Sequence, residues 1–318
     1  MQQQENLAQV RNHAAAYRLD PAQFRELLER LGPTFIKLGQ FLALRPDLIP
    51  QPYCDELLKL VDAVESFPFP VARRIITEDL GAPPEQRFVW INPRPIAAAS
   101  LAQVHEARTF DGEIVAVKVQ RENVHERVKK DLRRARLLSR IFDLSGLTLG
   151  VSVPDVLKEL ARWMRDELDM ELELRNITRM YELARDVDMM RVPRPYPELS
   201  GRRVLTAEFL EGYPFSELLR LVRVGQPDMI KSFGLDIDNL ARNLIHTILW
   251  QIFRFKFFHA DTHPGNLIAM PNDVVGFVDF GLTETLDATH RPGILRFVSA
   301  VYSNDVEGML HALTEVLT

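Results

Sequence analysis

A single cysteine, Cys54, stands in the whole chain. An internal disulfide is therefore excluded, and a reducing compartment is the natural setting. With no placed histidine partner, that thiol reads as a small buried apolar residue rather than a nucleophile. A large charge of one sign is also missing. The 39 Lys and Arg against 44 Asp and Glu leave −5 over 318 residues, which gives no case for nucleic acid. Long apolar runs are absent too. The best candidate, Asn243–Phe258, is interrupted by His246, Arg254 and Lys256 and falls short of the ~20 apolar residues that a span needs. The polar start Met1-Gln2-Gln3-Gln4-Glu5 is no signal peptide. Neither an internal repeat nor a low-complexity tract occurs. With 46% hydrophobic and 26% charged residues, the composition predicts a soluble, cored protein of two domains or lobes.

What is present is concentrated between His259 and Gly281. His259-Ala260-Asp261-Thr262-His263-Pro264-Gly265-Asn266 is followed by Val278-Asp279-Phe280-Gly281. Asn266 offers a neutral carbonyl oxygen and Asp279 a carboxylate, the kind of ligand that magnesium takes beside phosphates and water. Leu267–Met270, Pro271–Asp273 and Val274–Val278 read as strand, turn, strand. Such a hairpin would return Asn266 and Asp279 to one end, and Gly281 permits a turn after them. Asp261 precedes Asn266 by five residues, the spacing of a kinase catalytic loop. Asp261 is therefore the candidate catalytic acid, Asn266 and Asp279 the candidate metal ligands, and ATP with magnesium the candidate ligands of the protein. Two other readings use the same residues. One is zinc ligation by His259, Asp261 and His263 from one strand face; the other is a hydrogen-bonded loop without chemistry.

A kinase-like site needs an earlier lysine on a strand. Glu113–Gln120, with the turn signal Asp111-Gly112 before it, carries Lys118 inside Val-Ala-Val-Lys. Lys118 would sit on the polar face and contact phosphates. Residues 153–185 read as one long helix starting near Pro154-Asp155. On it Asp169 and Glu173 share a face that Asn176 continues. Glu167 is turned about 200° from Asp169, so either it serves another group or the helix bends there. Glu173 is the acid expected for Lys118, with Glu167 and Asp169 forming a separate contact. Val204–Gly212 reads as a strand running into a turn, where a kinase has its hinge. Backbone groups from Glu208 to Leu210 would bond the adenine; a plain edge strand is the alternative.

Glycine is missing where a protein kinase has a glycine-rich loop over the phosphates. Pro95–His105 contains Ala97, Ala98, Ala99 and Ser100 and no glycine. A Cβ makes φ > 0 costly, so this loop must have its own shape and its own nucleotide affinity. Taken alone, the alanine run reads as a helical turn.

These residues together resemble the UbiB family of atypical kinase-like proteins, linked to coenzyme Q (ubiquinone) biosynthesis. Four features carry the resemblance across residues 32–282. The first is Lys37-Leu38-Gly39-Gln40 within Gly32–Gln40, followed by Arg45-Pro46-Asp47. The second is Ala97–Ser100 in place of a glycine-rich loop. The third is Glu167-Leu168-Asp169 with Glu173 following, and the fourth is the catalytic-loop and Asp-Phe-Gly pair. The resemblance implies that Lys37 and Gln40 lie on an N-terminal helix folded over the nucleotide pocket, near Glu167 and Asp169. It implies a Lys118–Glu173 pair, metal held by Asn266 and Asp279, and conditional ATPase activity rather than robust protein phosphorylation. Thr262 departs from the family's more frequent proline. Resembling proteins often continue into C-terminal membrane helices, so a stop at Thr318, in the helical pattern Val306–Leu313, predicts an incomplete C-terminal lobe.

The expected fold is α+β, a two-lobed protein-kinase-like fold with a small β-sheet N-lobe, a helical C-lobe and a helical N-terminal extension. Residues 1–70 form the extension, ending in Phe67-Pro68-Phe69-Pro70, which disfavours helix. Residues 71–211 form the N-lobe. Residues 212–318 form the C-lobe, helical apart from the hairpin around Asn272. The expected activity is a Mg-dependent ATPase or phosphotransferase supporting ubiquinone or isoprenoid lipid biosynthesis. Its partners would be ATP or ADP and a quinone-pathway lipid or ubiquinone-biosynthesis proteins. Its place would be cytoplasmic, with peripheral contact at the inner membrane. The basic run Lys129, Lys130, Arg133, Arg134 and Arg136 could touch anionic lipid; a solvated helix face is the plainer reading. The alternatives are a small-molecule kinase of the aminoglycoside-phosphotransferase kind and a nucleotide-sensing pseudokinase scaffold.

Overall fold

The computed structural model of the chain describes residues 20–43, 45–46, 48–60, 65–144 and 153–317. Met1–Glu5, Asp47 and Thr318 lie outside them. The chain divides into two compact units, Met1–Met170 with Pro197–Thr206, and Glu171–Tyr196 with Ala207–Thr318.

In the first unit, α1 (Pro21–Leu31) opens on a capping box, in which the Gln23 N–H donates to the Asp20 carboxylate at 2.8 Å. α2 (Pro33–Ala43) packs against α1 and α3 (Gln51–Leu57). A Cβ on Gly39 would press on the Cδ1 atoms of Leu60 and Leu28, so those buried leucine ends would have to shift to admit it. Phe69 and Pro70, expected to break helix, instead begin α4 (Phe69–Leu80). Proline is tolerated in a first turn because the N–H it lacks would have no intrahelical partner.

A sheet follows, of β1 (Trp90–Ile91), β2 (Ala97–Ala98), β3 (Ala102–Arg108), β4 (Ile114–Gln120) and β6 (Val204–Glu208), in the order β1-β3-β4-β6 with β2 paired to β3. Val115, Val117 and Val119 bury one face of β4, which leaves Lys118 half-buried on the other. The buried face of β3 carries Gln103 and His105. His105 Nδ1 donates to the Asn92 carbonyl at 2.8 Å, and Gln103 Nε2 lies 2.8 Å from His105 Nε2. Gln103 Oε1 accepts the Phe67 N–H at 2.9 Å, tying the approach to α4 onto the sheet. Burial holds the His105 pKa below its ordinary value.

The helix expected over 153–185 is two helices. α6 (Val153–Glu167) stops, and α7 (Met170–Ala184) starts after Leu168 and Asp169. Asp169 therefore precedes α7 rather than sharing a helical face with Glu173. Leu168 is buried in an apolar cluster with Val128 and Leu132 of α5 (Val124–Leu144) and Leu160 and Met164 of α6. Its carbonyl accepts from Gln120 Nε2 at 2.9 Å. Tertiary packing, not local propensity, interrupts the helix.

The second unit folds α7, α8 (Phe215–Arg223), α9 (Pro227–Ser232) and α10 (Ile237–Trp250) around a sheet. Its strands are β5 (Met190–Arg191), β10 (Val274–Phe277), β9 (Leu267–Met270) and β7 (Tyr213–Pro214), in that order. Met180, Ile230, Val275, Phe277 and Phe280 fill its core. The segment beyond 212 is less helical than expected, since β7, β8 (Phe257–His259) and β11 (Thr283–Thr285) join the hairpin there. α10 runs into a π-helical turn, Gln251–Phe255, closed by Lys256 at φ 56°. α11 (Arg291–Tyr302) and α12 (Val306–Leu317) pack on each other. No described helix is long and apolar enough to cross a membrane.

Candidate active site

β9 and β10 pair antiparallel with Leu267 opposite Phe277, through a turn in which Asn272 and Asp273 take φ of 63° and 58°. Short polar side chains tolerate that region best. The Val278 N–H donates to the Asn266 carbonyl at 2.9 Å. The hairpin thus returns Asn266 and Asp279 to one end, as its sequence predicts. Asn266 Nδ2 donates to the Asp261 backbone carbonyl at 3.2 Å and to Asp261 Oδ2 at 3.0 Å. That orientation turns Asn266 Oδ1 away from Asp261. Asp279 stands at φ 64°, and its Oδ1 accepts the Gly281 N–H at 3.2 Å. A left-handed non-glycine residue held this way is a mark of a constrained site. The donor set of amide oxygen and carboxylate fits a hard divalent cation such as magnesium, and offers no thiolate or imidazole for a softer metal.

One buried side chain ties these residues together. His259 is 4% exposed; its Nδ1 accepts the Asp261 N–H at 3.2 Å. The ring proton therefore sits on Nε2, which donates to the Asp279 carbonyl at 2.6 Å. The His259 N–H is itself held by Gln251 Oε1 at 2.9 Å, at the start of the π-helical turn. Asn176 of α7 donates to the Phe280 carbonyl at 3.0 Å. With both His259 ring nitrogens turned to backbone, and Asp261 and His263 beyond the end of β8, the zinc reading loses its common strand face. Among the described residues no group of three His, Cys, Asp or Glu could hold a metal. The sequence reading missed His259, Gln251 and Asn176 as supports. The position of His259, two residues before Asp261, was the one available signal.

Three more candidates belong to this unit. Glu173 lies in the first turn of α7 at 2% exposure. The Glu208 N–H donates to the Arg194 carbonyl at 2.8 Å, and its carboxylate takes Arg191 at 2.5 Å and the Arg194 N–H at 3.0 Å. Leu210 is buried beside Gly276.

The other candidates lie in the first unit. Ala97 pairs with Val104, and Val104 with Lys118, so Ala97, Val104 and Lys118 stand in one row across β2, β3 and β4. The alanine-rich segment is a hairpin rather than a helical turn. Ala99 N–H donates to the Ala102 carbonyl at 2.8 Å and closes the turn. No residue from Ala97 to Ala102 takes a positive φ, as alanine's Cβ requires. Ser100, at the tip, is 1% exposed, and its Oγ has no hydrogen-bond partner among the described residues. Lys37 Nζ meets Glu167 at 2.5 Å and lies 5.9 Å from the Trp163 ring centroid. Gln40 Nε2 reaches toward the Leu60 carbonyl, 3.5 Å away. Asp169 sits in the break after α6.

An acid and an Asp-Phe-Gly segment bound to one histidine, with an asparagine five residues after the acid and bonded to it, have the arrangement of a protein-kinase-like site on an α+β fold. Residues 59–313 match the model of the ABC1 atypical kinase-like domain. The chain belongs to that family, which includes the UbiB proteins. It is 36% identical to Protein ACTIVITY OF BC1 COMPLEX KINASE 1, chloroplastic, of Arabidopsis thaliana, over 92% of this chain and 42% of that protein. It is 33% identical to an uncharacterized aarF domain-containing protein kinase, chloroplastic, of the same plant, over 94% of this chain and 54% of the relative. The chain thus spans about half or less of the length of these curated relatives. Among solved structures, the Rv3197–erythromycin complex from Mycobacterium tuberculosis is similar with a TM-score of 0.60 and 27% identity. That match covers 98% of this chain and 75% of the other. The fold is two-lobed and kinase-like.

Proposed function

We propose that this chain binds ATP with magnesium and acts as an ATPase or phosphotransferase. The observation that carries the reading is the single hydrogen-bonded assembly of Asn266, Asp261, His259 and Asp279. Asp261 would orient the attacking hydroxyl or water. Asn266 Oδ1 and the Asp279 carboxylate would hold the metal, which when bound would offset the charge of the phosphate oxygens. Lys118 would bind phosphate, with Glu173 as its acid. Ala97, Ala98, Ala99 and Ser100 would border the phosphates, and backbone groups from Glu208 to Leu210 the adenine. Lys37, Gln40, Glu167 and Asp169 would serve as the cover that the family resemblance implies. Service to ubiquinone or isoprenoid lipid metabolism, with peripheral membrane contact, rests on that resemblance alone. A small-molecule acceptor is the second reading, favoured by the erythromycin complex of the mycobacterial relative.

The test is a thermal-shift titration with ATP and with ADP, each with and without magnesium, on the wild type and Asp279→Asn. A ligand that binds only the folded state raises Tm by mass action. A magnesium-dependent shift lost in the variant supports the reading; unaltered ATPase in the variant refutes the metal role.

A further inference from the structure

We propose that Arg121 is the positioning residue of the alanine-rich turn, holding Ala99–Ala102 in the shape that receives nucleotide phosphates. The inference rests on the nucleotide reading above and adds a residue outside its motifs.

A glycine-rich loop adapts to phosphates through backbone freedom. Alanine lacks that freedom, so the shape of this turn has to be imposed. Arg121 supplies the constraint from just beyond the end of β4. Its backbone N–H donates to the Leu101 carbonyl at 2.8 Å. Its Nε donates to the Ala99 carbonyl at 2.9 Å. One residue therefore holds two carbonyls of a turn already closed by Ala99 N–H to Ala102 O. The Ala99 carbonyl dipole is thus directed toward the guanidinium, and the Leu101 carbonyl toward the backbone of the same residue. Arg121 Nη2 also donates to the Glu65 carbonyl at 2.8 Å, and its Cζ lies 5.4 Å from the Phe67 ring centroid. The same side chain thus staples the segment before α4 to the turn. Leu101 anchors the tip from the other side, in the cluster that Leu38 and Phe41 of α2 cover.

Simultaneous bonds to Ala99 and Glu65 need the separated donors of a rigid guanidinium fork. A lysine ammonium keeps the charge but cannot reproduce them. Charge alone and geometry are therefore separable by Arg121→Lys.

The experiment is calorimetric titration of wild type, Arg121→Lys and Arg121→Gln with ATP, ADP and adenosine, with magnesium present. Circular dichroism on each protein selects a temperature at which all are folded. The expected result is a loss of roughly tenfold in ATP and ADP affinity in both variants, with adenosine affinity unchanged, since adenosine has no phosphate. Equal losses for ATP and adenosine would mean a general structural role and overturn the proposal. So would unchanged affinities for all three. A wild type that binds adenosine and ATP equally overturns the phosphate role of the turn while leaving an adenosine site. A wild type that binds neither overturns the nucleotide reading, and this inference with it.

Discussion

His259 Nε2 donates to the backbone carbonyl of Asp279 at 2.6 Å, while its Nδ1 takes the N–H of Asp261 at 3.2 Å. A single buried ring thereby sets the separation of two acids eighteen residues apart in the chain. Neither acid could shift without breaking a bond to the ring, and an unmet buried polar group is costly.

Replacing that ring by one of similar size removes both bonds and little volume. His259→Phe is expected to cost about 2 kcal/mol, the penalty for leaving buried backbone groups unpaired. It should also abolish any magnesium-dependent nucleotide shift. Urea unfolding measures the first and thermal shift the second; a fully stable variant with normal nucleotide response would show that the tether is dispensable.

α2, with Arg45 beyond its C-terminal end, is joined to α6 by a ladder in steps of four residues: Lys37 with Glu167 at 2.5 Å, Phe41 with Trp163 at 5.8 Å between centroids, and Arg45 with Glu159 at 2.7 Å. The Lys37 and Glu167 side chains are only 13% and 17% exposed. Removing one partner leaves the other charge poorly solvated, so Lys37→Met or Glu167→Gln alone should cost about 3 kcal/mol. The double variant should cost less than the sum of the two. A double-mutant cycle by denaturant unfolding checks this, and additive losses would count against the coupling.

Gly39 offers a test in which two effects have opposite signs. In an exposed helix, Gly→Ala stabilises by about 0.5–1 kcal/mol. Here the new methyl meets Leu60 and Leu28, and overpacking of this kind costs about 1–3 kcal/mol. Gly39→Ala is therefore expected to lower the urea midpoint; a raised one would show that the helices can separate without loss.

Acid should weaken the first unit through its histidines. Burial lowers the pKa of His105; burial and then the charge of Arg203 lower that of His125. An unfolded histidine titrates near ~6.5, so below that pH the unfolded chain binds more protons than the folded one. The stabilisation is present in full above ~6.5 and is lost as pH falls toward the folded values. Urea midpoints should decline from about pH 6.5 to 5, a window above the ordinary carboxylate range, and His105→Gln should flatten the decline. Midpoints independent of pH in that window would contradict the assignment.

How much was legible in the sequence depended on the range of the interactions. The hairpin between Asn266 and Asp279 was legible because its strands, turn and pairing partners are all local. The row of Ala97, Val104 and Lys118 needed register as well as pattern, and a string of alanines carries little register information. The break at Leu168 was legible only as one of two alternatives, through the opposed facing of Glu167 and Asp169. Glu, Leu, Arg and Met favour a continuous helix by a few tenths of a kcal/mol each, whereas the buried Leu168 side chain and the Gln120 bond outweigh them from a distant strand.

By itself the sequence determined the chemistry on offer: one acid, one asparagine and one aspartate at fixed spacings, a strand lysine, and an alanine-rich segment without glycine. These follow from residue identity and short-range geometry. Only the tertiary structure decided that His259 joins Asp261 to Asp279, that Arg121 grips the alanine-rich turn, and which of the two alternatives at Glu167 holds, the helix ending there. Each of those depends on burial beside residues remote in the chain, and burial energies of whole side chains exceed the local preferences that a sequence displays.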